Sequence, residues 1–161
     1  MTAETADATL LPVEPAYRHA LRARAAIFWV PLFVGSLLAD RFVLAETPVA
    51  GLLPVVVALV ALSGIFVAPD RVYRRIGYAI DESLLRVVRG WLFHTDTIVP
   101  FVRVQHIDVL RGPIDKMFGT ASLIVHTAGT HNSIVTLPGL APDRAAAMRE
   151  TIRGSIRTDA E

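Results

Sequence analysis

Residues 47–69 read TPVAGLLPVVVALVALSGIFVAP and contain no charged side chain. At about 1.5 Å of rise per residue, a helix over this stretch is about 34 Å long, and the hydrocarbon core of a bilayer is about 30 Å thick. A small water-soluble domain cannot cover a helix of this length that is apolar on every side. The sequence therefore predicts that residues 47–69 cross a membrane.

A second uncharged stretch, Ala25–Ala39, precedes the first one closely in the chain. It is shorter than the roughly 17–25 residues that a span needs, but residues 42–45 extend it beyond the charged pair Asp40 and Arg41. The long Arg41 side chain can reach the lipid headgroups from there. A cleaved signal peptide is the competing interpretation, because its apolar region has a similar length. The long leading segment favours a retained span, and hence a two-helix transmembrane hairpin.

Arginines on both sides of this hairpin predict its orientation. Cytoplasmic flanks of membrane helices carry an excess of Lys and Arg, and the connecting loop holds only Arg41. We therefore expect a multi-pass membrane protein with both termini in the cytoplasm. The flanking arginines are also candidate contacts for anionic lipid headgroups, although they could serve as topology signals alone. They are Arg18, Arg22, Arg24, Arg71, Arg74 and Arg75.

The composition leaves room for one domain outside the membrane. Hydrophobic residues make up 53% of the chain and charged residues 19%. The net charge of +1 provides no general attraction for nucleic acid. Cysteine is absent, which excludes disulfides, a thiolate nucleophile and a Cys-based zinc site. About 85 residues follow the hairpin, enough for one small core.

After residue 70 the pattern changes from continuously apolar to alternating, which predicts short antiparallel strands. The predicted strands are 76–80, 84–89, 91–99, 101–110, 121–127 and 133–137, with a helical turn at 114–118. A final amphipathic helix begins at Pro142. Its apolar stripe consists of Ala145, Met148, Ile152 and Ile156. Strands followed by one helix favour a curled sheet whose open end the helix covers.

Residues 98–119, IVPFVRVQHIDVLRGPIDKMFG, resemble the bacterial pleckstrin-homology-like (membrane-flanked) domain family, as do Ala121–Gly129 and Leu137–Leu140. The RVQ, GP…FG and HTAG segments follow one another at the family's spacing. The resemblance implies an α+β membrane protein: a two-helix transmembrane hairpin, then a PH-like, partly open antiparallel β-barrel with a C-terminal helix. It also implies a larger relative with several such domains as a partner. The loop Asp81–Ser83 is acidic, so the inositol-lipid site of eukaryotic relatives is not carried over.

These patterns predict four regions in the chain. They are an N-terminal cytoplasmic segment at 1–24, the hairpin at 25–69, the PH-like domain at 71–156 and a tail at 157–161. Residues 1–16 are expected to be a loose tail. Trp91, Leu92 and Phe93 are expected in the core, with a position at the membrane interface as the alternative.

Motifs of enzymes are missing from the sequence. It contains no nucleophile elbow, P-loop, dinucleotide fingerprint or HExxH pair, so we predict no catalytic residues, no cofactor and no metal. Four histidines lie after the hairpin without ligand spacing, although two of them could meet across strands. They are His94, His106, His126 and His131.

A polar stretch inside one predicted strand is the candidate interaction surface. Its residues are Arg103, Gln105, His106, Asp108 and Arg111. An edge strand with such side chains can dock an added strand or loop, although these groups could also simply bond their neighbours. We therefore expect a non-enzymatic scaffold module that binds protein partners and self-associates at the membrane. A lipid-binding module is the alternative, and a small membrane hydrolase a more remote one.

Overall fold

The computed structural model describes residues 10–91, 93–128 and 134–158, apart from the side chains of residues 157 and 158. Two long helices dominate its first half, α1 at Ala16–Leu44 and α2 at Leu52–Tyr73. Each contains one π-helical turn, at Asp40–Leu44 in α1 and at Ser63–Val67 in α2. Both helices are long and apolar enough to cross a membrane, as the sequence predicts.

The two helices form an antiparallel hairpin. Near the connecting loop the Gly51 N–H donates to Asp40 Oδ1 at 2.8 Å, and at the other end Arg22 contacts Asp70. Between these ends Trp29 lies against Gly64, where a Cβ atom would overlap the indole ring. A small residue at this position therefore lets the helices approach closely. This packing within one chain agrees with the prediction of an ordinary hairpin.

Seven strands form two antiparallel sheets within the described residues. The first sheet has the order β1–β2–β3–β4, with β1 at Leu11–Pro12, β2 at Gly77–Ile80, β3 at Leu84–Gly90 and β4 at His94–Pro100. The second sheet has the order β5–β6–β7, with β5 at Val104–Leu110, β6 at Ala121–Thr127 and β7 at Ile134–Leu140. Two helices complete the fold, α3 at Pro113–Met117 and α4 at Pro142–Thr158. The sheets remain two and do not close, which confirms the predicted partly open α+β fold.

Three predicted strand boundaries were wrong. β4 begins at His94 rather than residue 91, and residues 101–103 form a 3₁₀ turn between β4 and β5. β7 continues to Leu140 because Gly139 adopts a positive φ of 75° and keeps the chain in the sheet. The turn between β2 and β3 lies where the sequence predicts it, and the Asp81 N–H donates there to the Leu84 carbonyl at 2.9 Å.

One core joins the two sheets and α4. Leu85 and Val87 of β3, together with Leu123 and Val125 of β6, are almost fully buried in it. The predicted apolar stripe of α4 packs on the same core. Ala145, Met148 and Ile152 are buried, and Ile156 is half-buried. The amphipathic pattern of α4 therefore identified its buried face correctly.

The segment before the first membrane helix also belongs to this core. β1 pairs with β2, and the Glu14 N–H donates to the Gly139 carbonyl of β7 at 2.7 Å, so the segment bridges both sheets. Tyr17 and Ala20, in the first turns of α1, are buried. The expectation of a loose tail is therefore wrong for residues 10–16. Removal of this segment as a signal peptide would take these side chains out of the core.

Gly139 and Gly154 provide a matched pair of Gly→Ala substitutions with opposite expected effects. Gly139 has a positive φ, and an added Cβ would overlap Tyr17, so Gly139→Ala should destabilise the fold by about 2 kcal/mol or more. Gly154 lies within α4 with open space around its Cβ position, so Gly154→Ala should stabilise by about 1 kcal/mol. Thermal unfolding of the full chain in detergent measures both. A lower Tm for Gly154→Ala, or an unchanged Tm for Gly139→Ala, would contradict this account.

Candidate functional site

Arginines at the start of α1 form ion pairs with carboxylates of other elements. Arg22 Nη2 donates to Asp70 Oδ1 at 3.0 Å, and Arg18 Nε lies 3.9 Å from the same oxygen. Arg24 Nη2 donates to both carboxylate oxygens of Asp115, at 2.8 and 2.9 Å. Three of the six predicted membrane-surface arginines therefore hold α1 against α2 and α3. Their contact with lipid headgroups stays a prediction.

The Asp115 carboxylate is the buried member of these pairs. Besides Arg24, it accepts hydrogen bonds from Thr120 Oγ1 at 3.1 Å and from the Gly112 N–H at 3.2 Å. The Gly112 contact caps the first turn of α3, which the GP…FG segment forms. A buried carboxylate is stable only when it is paired and hydrogen-bonded, and Asp115 satisfies both conditions.

The other three predicted membrane-surface arginines follow or end α2. Arg71, Arg74 and Arg75 are exposed, and Arg75 Nη1 donates to the Trp91 carbonyl at 3.4 Å. Trp91 lies beside α2, where it lines one cavity together with Gly64 and Arg71. This arrangement places basic side chains next to the turn between β3 and β4.

That turn presents aromatic side chains at the protein surface. Trp91 is 44% exposed and Phe93 is 82% exposed, whereas Leu92 lies outside the described residues. The expectation that Trp91 and Phe93 are core residues is therefore wrong. Trp91 packs beside α2, and a position of this turn at the membrane interface, the alternative to the core, stays a prediction.

The predicted interaction residues lie together on and beside β5, an edge strand of the second sheet. We call Arg103, Gln105, His106, Asp108 and Arg111 the β5 surface, and all five are exposed. Val102 and Leu110 add exposed apolar side chains at its two ends. A β-bulge between Val104 and His106 interrupts the alternation of faces predicted for this stretch.

Two histidines of neighbouring strands meet at this surface. His106 lies opposite His126 of β6, with ring centroids 5.8 Å apart. Asp108 lies between them, with its carboxylate oxygens 2.9 Å from His106 Nε2 and 3.6 Å from His126 Nε2. No group of three or more His, Cys, Asp or Glu within the described residues is arranged to hold a metal ion. His94 is exposed at the start of β4, and His131 lies outside those residues.

Arg89 is the residue that the sequence analysis missed. It follows the buried Leu85 and Val87 at intervals of two residues, so it faces the interior of the two-sheet structure. Arg89 lines a cavity of about 170 Å³ with Thr95, Thr97 and Thr136. The alternation along β3 carried the signal, because it places a charged residue on an otherwise apolar face.

Two comparisons with known proteins agree with this architecture. The sequence profile of the family described as bacterial PH domain matches residues 25–156. The UPF0699 transmembrane protein YdbS of Bacillus subtilis (strain 168) is 32% identical over 104 residues, which are 65% of this chain and 64% of that protein. The match thus covers less than two thirds of the relative's length. No solved structure matches the chain.

The Asp115 cluster should be important for stability. Replacement by alanine leaves Arg24, Thr120 and Gly112 without their acceptor, so Asp115→Ala should cost about 3 kcal/mol. Thermal unfolding in detergent should show a Tm several degrees lower than that of the unaltered chain. Lys116→Ala, at an exposed position on the same helix, is the control and should leave the Tm nearly unchanged. Equal shifts in the two variants would show that the Asp115 cluster is not specifically stabilising.

The position of Trp91 can be measured by fluorescence. The chain has two tryptophans, so Trp29→Phe leaves Trp91 as the single reporter. In vesicles, lipids brominated near the headgroup end of the acyl chains should quench Trp91 more strongly than lipids brominated near the bilayer centre. Trp91→Phe, which retains Trp29, provides the reference for a residue on a membrane helix. Trp91 emission that neither brominated lipid quenches would place this turn in water.

Proposed function

This chain belongs to the bacterial PH domain family, and from that premise we propose that it is a membrane-anchored scaffold module that binds protein partners through the β5 surface. Its two apolar helices hold the module at the cytoplasmic face of the bacterial inner membrane. It catalyses no reaction of its own. A partner docks on the exposed edge of the second sheet, which β5 forms.

The observation that carries this proposal is the position of the β5 surface on an edge strand. β5 pairs with β6 on one side, and an edge strand offers backbone N–H and C=O groups to an added strand. Polar side chains along β5 can select the partner, while Val102 and Leu110 contribute apolar contact area at the ends. The strand is supported by a buried core, so the docking edge is rigid before the partner arrives.

Because the chain is confined to a membrane, a weak affinity is sufficient for a partner to occupy the β5 surface. Two proteins held in the same bilayer meet at a high effective concentration, so a modest affinity gives high occupancy. The hairpin brings the end of α2 beside the start of α1, so both flanks lie on the side of the β-sheets. The Arg-rich flanks support a cytoplasmic position for both termini.

Two partners fit this arrangement. One is a larger membrane protein with several domains of the same family, as the family resemblance suggests. The other is a second copy of this chain, because an exposed edge strand can pair with its own counterpart about a two-fold axis. The name of the B. subtilis relative describes a transmembrane protein, which agrees with anchoring in the membrane.

A lipid-binding module is the second candidate function. It is favoured by the exposed Trp91 and Phe93 beside Arg71, Arg74 and Arg75, because aromatic and basic residues together suit an anionic membrane surface. The two functions are compatible, since lipid contact would orient the β5 surface above the bilayer. A membrane hydrolase gains no support from the described residues.

Cross-linking from β5 tests the docking proposal directly. Because the chain contains no cysteine, Gln105→Cys introduces a single thiol on the β5 surface. Arg153→Cys does the same on an exposed face of α4 and is the control. A thiol-attached photocross-linker in intact membranes should give a defined adduct from Gln105→Cys and only background from Arg153→Cys. An adduct of twice the chain mass identifies self-association, and a heavier one identifies a different partner. Equal background from both variants would refute docking at β5.

A further inference from the structure

The cavity beside Arg89 is lined by polar groups from three strands. Arg89 of β3 lies next to Thr95 of β4, its partner in the register, and Thr97 lies two pairs further along, opposite Val87. Thr136 of β7 faces them across the gap between the two sheets. Thr95 is exposed, so a small molecule in water can reach the cavity. No acidic residue of the described chain lines it.

The guanidinium group of Arg89 has a buried donor without an acceptor. Its Nη2 atom is buried, and it has no hydrogen-bond partner among the described residues. Burial lowers the pKa of Arg89, and no carboxylate among the described residues raises it. Even so, an arginine stays positively charged at neutral pH. Arg89 is thus a half-buried cation without a described counter-charge.

Arg86, on the same strand, differs from Arg89 because its guanidinium group is paired with a carboxylate of the chain. It lies on the opposite face of β3, where its Nε and Nη2 atoms donate to the Asp96 carboxylate. No carboxylate among the described residues pairs with Arg89 in the way that Asp96 pairs with Arg86. A buried cation without a counter-charge is costly, and an anion bound in the cavity would supply the charge that Arg89 lacks among the described residues.

We propose that this cavity binds a phosphate group, with Arg89 as the cation and the hydroxyls of Thr95, Thr97 and Thr136 as further donors. The planar guanidinium can donate two parallel hydrogen bonds to adjacent phosphate oxygens. Threonine hydroxyls on two other strands can meet the remaining oxygens of a tetrahedral anion. A carboxylate, whose two oxygens lie in one plane, would leave donors on at least one strand unused.

The phosphate can come from two sources with the same chemistry. Trp91 and Phe93 lie just beyond Arg89 in the chain and are exposed, and Trp91 lies beside α2, so an anionic phospholipid headgroup is one source. A free phosphate or a soluble phosphate ester is the other. This site is independent of docking at β5, because the cavity is formed by β3, β4 and β7.

The test uses the full chain in maltoside micelles, which contain no phosphate. One arm adds inorganic phosphate, and the other adds phosphatidylglycerol, with diacylglycerol as the phosphate-free control lipid. Binding is measured as the ligand-dependent rise in Tm and, for lipid, as retention in native mass spectrometry. Arg89→Met should weaken binding at least tenfold, whereas Arg86→Met should bind like the unaltered chain. Without ligand, Arg89→Met should unfold at the same temperature or higher, because a charge without an acceptor has been removed.

The outcomes separate the two sources. Arg89-dependent binding of inorganic phosphate assigns the site to a soluble ligand, and Arg89-dependent binding of phosphatidylglycerol alone assigns it to a headgroup. No binding in either arm, or equal binding by Arg89→Met and Arg86→Met, overturns the proposal. If Arg89→Met does not fold, the double variant Thr97→Val and Thr136→Val preserves side-chain shape and should still lose affinity. Unchanged affinity in that variant would also overturn it.

Discussion

The start of α1 is packed inside the core of the two sheets, and the same helix continues into an apolar stretch long enough to cross a bilayer. A helix is stiff, so its tilt and rotation are fixed by the side chains buried at its start. Arg22 and Arg24 reinforce this through their pairs with Asp70 and the buried Asp115. Separation of Arg24 from Asp115 would leave a carboxylate buried without its cation, which is strongly unfavourable. The buried start of α1 and these ion pairs therefore couple the sheets to the hairpin.

Much of this fold could be predicted because its signals are local. The apolar stretches, the turn at Asp81–Ser83 and the stripe of α4 are each encoded within a few neighbouring residues. β1 could not be predicted, because a strand of two residues is too short to show a periodicity. Its position depends on hydrogen bonds that this segment makes with β2 and β7, which are distant in the chain. Trp91 and Phe93 were misassigned because large aromatic residues signal a core in water, whereas here both are exposed and Trp91 lies beside the hairpin.

The candidate sites were predictable to different degrees. The β5 surface stood out as polar residues within an apolar strand, and its five residues are exposed, whereas their role in binding stays a prediction. The carboxylate partners of Arg22 and Arg24 lie 48 and 91 positions away in the chain, so the sequence could not identify them. The Arg89 cavity requires three strands to meet, and only the alternation along β3 hinted at it. The residue types could be read from the sequence, but the contacts between residues that are far apart in the chain could not.

β1 and β2 are neighbours in the first sheet, but both membrane helices separate them in the chain. During synthesis, β1 is therefore translated before both membrane helices and before β2. It stays unpaired while the hairpin enters the bilayer. When the hairpin closes, it brings the two ends of this long insertion together, and little further entropy is lost in forming the sheet.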